Sequence, residues 1–353
     1  IQAVIAQEEQ KEVYFERSGE GLVRFYFDQE YFLVDKNCEF KAIERLATFD
    51  IASSKFNGSF TDFDLRGNII LEGSYKDGAK NGLFKAFHPN GALKWKVSYD
   101  QGKPVDSMTF YYPDEQPMLI LGYDDGIVKI QQFITQKGKY GVKDGNGYYE
   151  MLVPYQGYNP FGYSFIKHKG RIKDGLPTGY WQVFFVEGKS QVLAAEEDYR
   201  NGIFVRGNDL FQESAYSGPI YSKVPIANFS RAEILVSKPC SYDDHVGFTF
   251  YLGEYFTQGL ARIAPQKVFQ ENFEYIVEVN EDGRPTKLDM PNELPEEINK
   301  IFLQIAKSID HYIPSYIQGQ YVEDELKISG KITTLETGKL AVHSIKIGRK
   351  QEP

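Results

Sequence analysis

The chain has 353 residues, which suits two or three domains and is enough to bury a core without covalent staples. Its net charge of −9 argues against nucleic acid or an anionic membrane as the main partner, because both select a basic surface. With 25 tyrosines, 26 phenylalanines and 32 glycines, the composition favours short strands joined by tight turns, and no apolar run is long enough for a membrane-spanning helix.

Residues 1–6 are small and apolar and give way abruptly to Glu8-Glu9-Gln10-Lys11. Val4-x-Ala6 fits the small-residue pattern before a signal-peptidase cut, with Gln7 as the new N-terminus. No cysteine follows that cut, so the expectation is a soluble exported protein of the periplasm, with the cell surface as the alternative. Residues 7–55 carry aromatic runs at Val13-Tyr14-Phe15, Arg24-Phe25-Tyr26-Phe27 and Tyr31-Phe32-Leu33-Val34. These are expected to be strands that begin a sheet and cap its end.

From 56 to 205 the chain repeats with a period of 24. Gly78, Gly102 and Gly126 share a column, as do Tyr75, Tyr99 and Tyr123; Phe63, Phe87 and Tyr111; and Leu71, Trp95 and Leu119. Asn-Gly and Asp-Gly pairs supply the positive φ that tight hairpin turns need. Runs such as Leu83–Phe87 and Leu93–Val97 alternate like half-buried strands. One unit is therefore strand, turn, strand, turn, and stacked units bury a shared face. In the third row Asp106 and Glu115 stand where glycines are expected, which predicts distorted turns. Lys173–Trp181 matches Lys76–Phe84 in type, and a Tyr/Gly/Pro insertion at 153–163 breaks the array. Insertions in repeat proteins often contact a partner, so Tyr155, Tyr158, Phe161 and Tyr163 are the candidate partner-binding residues.

The set Gly73, Tyr75, Gly78, Gly82, Phe87, Pro89, Asn90 and Gly91 resembles the bacterial MORN-repeat variant, across roughly residues 56–202. That resemblance implies an interaction module of the kind found in Bacteroidetes envelope proteins, a family often labelled antitoxin-like.

Residues 206–234 are expected to be a linker, and 235–350 a small α+β domain. Phe273–Val279 reads as a strand, Asn280–Gly283 as its turn, and Tyr321–Ile328 as a strand bounded by Gly330. Pro295 opens a helix with Ile298, Ile301, Phe302, Ile305 and Ile309 at helical spacing, ended by Pro314. The Asp282-Gly283 turn, the helix and the stretch Ile313–Val322 resemble the TonB C-terminal domain. The resemblance implies protein binding by addition of a strand to a sheet edge. With no membrane anchor or Pro-rich spanning linker in the sequence, an energy-coupling TonB role is not expected.

No phosphate loop, dinucleotide fingerprint or nucleophile elbow occurs. His88, His168, His245, His311 and His343 form no zinc-type pair, and Cys240–His245 reads as a polar loop. Asp62–Gly67 mimics the start of a calcium loop, but Arg66 and Gly73 occupy ligand positions. Whether Cys38 and Cys240 pair is open at this level. The expected class is a mainly β, non-catalytic interaction or scaffold protein without cofactor or metal. Its partners would be other envelope proteins, as for an accessory subunit that docks on or plugs an outer-membrane transport or secretion channel. Two alternatives stand beside it. One is a carbohydrate- or peptide-binding protein using Phe87, Trp95 and Tyr111, which fails if all three are buried. The other is an antitoxin-like inhibitor.

Overall fold

The computed structural model describes residues 12–350 except 20, 212, 226–227, 262, 264–267 and 292–293, so the expected signal-peptide end at 1–6 lies outside the described residues. Two compact units emerge, Ile1–Tyr155 with Gly162–Cys240, and Gln156–Phe161 with Ser241–Pro353. The protein is mainly β, as expected.

The first unit is one 18-stranded antiparallel sheet. It begins at Phe15–Gly19 and Leu22–Phe27, so the N-terminal runs join the sheet. It then meanders strand by strand to Ser214–Tyr216. Its turns obey the 24-residue column. Asp77-Gly78, Gln101-Gly102 and Asp125-Gly126 all have positive φ at both positions, from +46° to +86°, which is the two-residue type I′ turn. The turn glycine donates its N–H to the preceding hairpin, Gly78 to Phe56 O (2.9 Å) and Gly102 to Lys80 O (2.8 Å). The period therefore has a physical basis: the turns at Gly78 and Gly102 are each tied to the hairpin before.

The third row corrects an expectation. Asp106, with φ of +62°, lies not in a turn but inside the strand Lys103–Tyr111, whose register against Leu93–Asp100 shifts. Glu115 adopts φ of +65°, and Glu115 N donates to Tyr112 O at 2.9 Å just as Gly91 N donates to His88 O at 2.8 Å. The turn is kept, and the Cβ-bearing residue carries the strain. Left-handed backbone costs an L-residue roughly 1–2 kcal/mol, partly offset by glycine's extra freedom when unfolded. Glu115→Gly should therefore raise stability by about 0.5–1 kcal/mol, read as a higher urea midpoint.

Leu71, Trp95 and Leu119 are buried as a column, joined by Phe60, Phe84 and Met108, a second column one strand away. Phe63, Phe87 and Tyr111 are only half-buried.

Residues 206–234 are not a linker. Ile203–Asp209 and Ser214–Tyr216 are the last strands of the sheet. From 217 the chain turns back and runs over the aromatic face towards the N-terminal strands. This strap includes the 3-10 helix Asn228–Glu233, bridges Leu33 through Ser237, and ends in a Cys38–Cys240 disulfide. The disulfide closes a sequence separation of 202 residues. Residues 235–240 thus belong to the first unit, and the second begins at Ser241.

The second unit is a four-stranded antiparallel sheet in the order Pro285–Asp289, Gln270–Val279, Asp324–Thr334, Leu340–Arg349. Its helices are α1 (Tyr242–His245), α2 (Phe248–Leu260) and α3 (Glu296–Lys307). Pro295 caps α3 as expected, but the helix stops at Lys307, well before Pro314. Phe256 of α2 stacks on Phe302 of α3 with ring centroids 4.4 Å apart, above Phe273 and Tyr275 of the sheet. Gly330 does not bound its strand. The strand runs through it, and the position needs glycine because the Phe273 ring lies where a side chain would be, 2.7 Å from an added Cβ.

Candidate functional site

The four insertion residues divide between the two units. Tyr155 and Tyr163 pack on Phe185, both at 5.5 Å between ring centroids, so they serve the core of the first unit. Tyr158 lies in the second unit against Phe248 (4.8 Å) and Tyr251 (5.1 Å). Phe161 is half exposed. The expected contact loop supplies mostly core aromatics, because a Tyr-rich loop beside an aromatic face gains most by burying its rings.

The organised chemistry of the first unit lies under the strap. Lys223 donates to Glu197, a carboxylate that is 1% exposed and also accepts from the hydroxyls of Tyr199 (3.2 Å) and Tyr216 (3.0 Å). The Lys223 ammonium also lies over the rings of Trp181 (5.7 Å) and Tyr199 (5.3 Å). Farther along, Phe229 inserts between Trp95 (5.5 Å) and Phe84 (5.7 Å). Glu233 then accepts from Lys80 (2.9 Å) and from the Tyr75 hydroxyl (3.2 Å). Arg231 lies over the Phe32 ring at 4.1 Å and donates to Glu30 O, and Lys238 pairs with Asp28 at 3.2 Å.

His168 is wholly buried in this face, and neither ring nitrogen meets a hydrogen-bond partner among the described residues. Burial, and then the Lys223 charge, push its pKa down to about 3. The unfolded chain binds a proton near pH 6.5 and the folded chain does not, so this contribution is present above pH 6.5 and lost as pH falls towards 3. The loss between pH 7 and pH 5 should be roughly 2 kcal/mol. His168→Phe should remove that slope, measured as the difference in urea midpoint between the two pH values in variant and wild type.

Asp62, a residue of the calcium-like run, is fully buried and holds Arg45 in two hydrogen bonds of 2.7 and 2.9 Å. Asp64 accepts from its own turn, through Arg66 N and Asn68 N. His88 reaches Tyr111 O at 2.9 Å, a turn contact. Among the described residues no three His, Cys, Asp or Glu side chains are placed to hold a metal ion.

The Cys240–His245 run, which enters the second unit at Ser241, does more than form a polar loop. Ser241 caps α1, and Asp243 pairs with Arg349 at 2.6 Å. Arg349 also donates to Ile313 O (3.0 Å) and Ser315 Oγ (3.3 Å), and Ser315 donates to Asp324. Burial raises the Asp243 pKa against the pull of Arg349. This network holds the short hairpin Ser315–Ile317 and Gln320–Val322 beside the end of the Leu340–Arg349 strand. The hairpin shows an exposed ring pair, Tyr316 and Tyr321, 4.9 Å apart. An open polar concavity of about 720 Å³ lies on the sheet, lined by Asn272, Glu274, Ser329, Lys331, Ser344 and Lys346 among others.

Leu340–Arg349 is an edge strand whose backbone is only partly used. Lys350 N donates to Glu325 O, and strict alternation then bonds Gly348 and Lys346 inward to Lys327 and Ser329. Ile347 and Arg349 therefore turn their N–H and C=O groups to the open side. Towards the other end of the strand the edge is covered, since Val342 N donates to Thr257 Oγ1 of α2 at 2.9 Å. Composition could not have located this edge, because only pairing register reveals which amides are spare. Compared with known proteins, the chain matches no protein-family model and no curated protein sequence.

Proposed function

We propose that the protein is a non-catalytic interaction protein of the periplasm, an accessory subunit of a Bacteroidetes-type outer-membrane assembly that docks on a transport or secretion channel. The observation that carries this reading is the half-open edge of the Leu340–Arg349 strand beside the exposed Tyr316–Tyr321 pair. An edge with spare amides and flanking aromatics suits an added partner strand, in which main-chain bonds give affinity and side chains give selectivity. The resemblance of this segment to the TonB C-terminal domain, and of the repeats to MORN-variant modules, points the same way. The Cys38–Cys240 disulfide supports an oxidising compartment, since such bonds are rare in reducing cytosol.

Gentle native purification from the source cells, with co-purifying proteins identified, is the test. A channel or secretion component should accompany the wild type and be lost from Ile347→Pro, which removes an outward N–H that the fold's own ladder does not use. A clean monomer in the wild type would overturn the reading. Ligand binding through the column aromatics is less favoured, because Trp95 is 5% exposed beneath Phe229, leaving only Phe87 and Tyr111 partly accessible.

A further inference from the structure

The sheet of the first unit holds the strap mainly through side chains. Between 217 and 233, among the described residues, the hydrogen bond from the sheet to the strap's backbone is Tyr149 Oη to Lys223 O at 2.7 Å. The anchors are spaced instead as a cation, an aromatic ring six residues later, and a carboxylate four residues after that: Lys223, Phe229 and Glu233. Their receptors are built by the sheet itself. Tyr199 and Tyr216 orient Glu197, and Lys80 lies over the Tyr99 ring at 5.3 Å. The slot between Trp95 and Phe84 is made of two rings fixed on adjacent strands. The strap is also thin. Ile220, Ile234 and Val236 on its outer side are 55%, 69% and 42% exposed.

What fixes the strap is its far end, where Leu33 N bonds Val236 O (2.9 Å), Lys238 N bonds Leu33 O (2.8 Å) and Cys240 is joined to Cys38. Cys38 is 7% exposed, but Cys240 is exposed, so a thiol can reach the bond from the Cys240 side.

We propose that the sheet face from Trp181 to Tyr75 is a recognition groove for a peptide whose aromatic and acidic anchors lie on a single 3-10 segment, that the strap is its built-in occupant, and that the Cys38–Cys240 disulfide is the latch. A partner segment carrying a cation, then an aromatic, then a carboxylate at the strap's spacing takes the strap's place once the latch opens. Opening needs a dithiol reductant. Its two thiols are oxidised to a disulfide, and Cys38 and Cys240 take up the two electrons and two protons as free thiols. The backbone tethers the strap in either state, at an effective concentration on the order of millimolar; the closed latch adds a second tether at the far end, and opening it lowers the strap's advantage so that a partner segment can compete.

The test uses the full chain and a fluorescent synthetic peptide with the sequence of residues 221–238. An opened variant, Cys38→Ser with Cys240→Ser and Phe229→Ala, should bind this peptide saturably. A peptide carrying Phe229→Ala should bind roughly tenfold more weakly or worse, since truncating a buried aromatic anchor removes a dominant contact. Oxidised wild type should show no binding. Absence of saturable binding to an opened variant that keeps its far-UV sheet signal would overturn the proposal.

Hydrogen exchange on wild type before and after dithiothreitol gives a second readout should that variant unfold. Faster exchange at Leu33 and Lys238, whose amides bond the strap's far end to the sheet, with the strands still protected supports the groove. Equal protection before and after, or joint loss in strap and strands, makes the strap a fixed part of the core and overturns it. The proposal is independent of strand addition on the second unit, because Ile347→Pro should leave peptide binding unchanged.

Discussion

Replacing Cys38 and Cys240 together by serine should lower the unfolding free energy of the first unit by about 2–5 kcal/mol. The bond closes a sequence separation of 202 residues, and the chain-entropy account puts the cost of that closure near 5 kcal/mol. The lower end applies if the cross-linked unfolded chain keeps structure of its own. The measurement is equilibrium urea unfolding of the double variant against oxidised wild type, with reduced wild type as the control that should match the variant. A change under 0.5 kcal/mol would mean that the strap's anchors alone fix it, and that the bond contributes nothing beyond them.

Asp62→Asn should cost more than its small change in volume suggests, about 3–5 kcal/mol. Arg45 and Asp62 are both 0% exposed, and the guanidinium lies 4.2 Å from the Phe60 ring centroid, with Phe56 at 5.4 Å and Phe27 at 5.7 Å. The amide keeps the shape of the carboxylate but leaves a full positive charge among aromatic rings without its counter-charge. The surrounding π faces recover only part of that loss. Arg45→Met combined with Asp62→Leu should regain most of the stability, because removing both charges abolishes the desolvation that the pair must otherwise offset. Urea midpoints of the single and double variants decide it. A double variant no better than Asp62→Asn would show that the Tyr31 hydroxyl, which donates to Asp62 at 3.0 Å, carries more of the site than the ion pair.

The disulfide arises where the chain returns to its own beginning, which is where sequence reading is weakest, whereas Arg45 and Asp62 face each other on consecutive strands. The repeat was legible because its signals are local. A type I′ turn needs two residues of positive φ, and Asp77-Gly78 or Asn201-Gly202 announces it within two letters. Glu115 and Asp106 show the limit of that logic. The ladder holds the turn at Glu115, and the strand irregularity at Asp106, in the glycine conformation although each residue resists it. Helix α3 was legible from its apolar spacing, whereas α2 was not, because Phe248–Leu260 is rich in aromatics and glycine and lacks a polar cap. The candidate site was hardly legible at all. Phe229 and Glu233 look like ordinary linker residues, and their meaning lies in Trp95, Phe84 and Lys80, more than 130 positions away.

By itself, then, the sequence determined the hairpin period, the turn types, the columns Leu71–Trp95–Leu119 and the change to an α+β unit. Each follows from backbone dihedrals and side-chain alternation over a few residues. Only the tertiary structure decided that the described residues of 217–240 cover the aromatic face, that Cys38 meets Cys240, that His168 is sealed with no hydrogen-bond partner among the described residues, and that the ladder turns the Ile347 and Arg349 amides to the open side. The physical reason is that long-range burial is set by which surfaces remain to be covered after the local elements have formed. A 24-residue segment that fits such a surface through three anchors leaves no periodic mark in the chain.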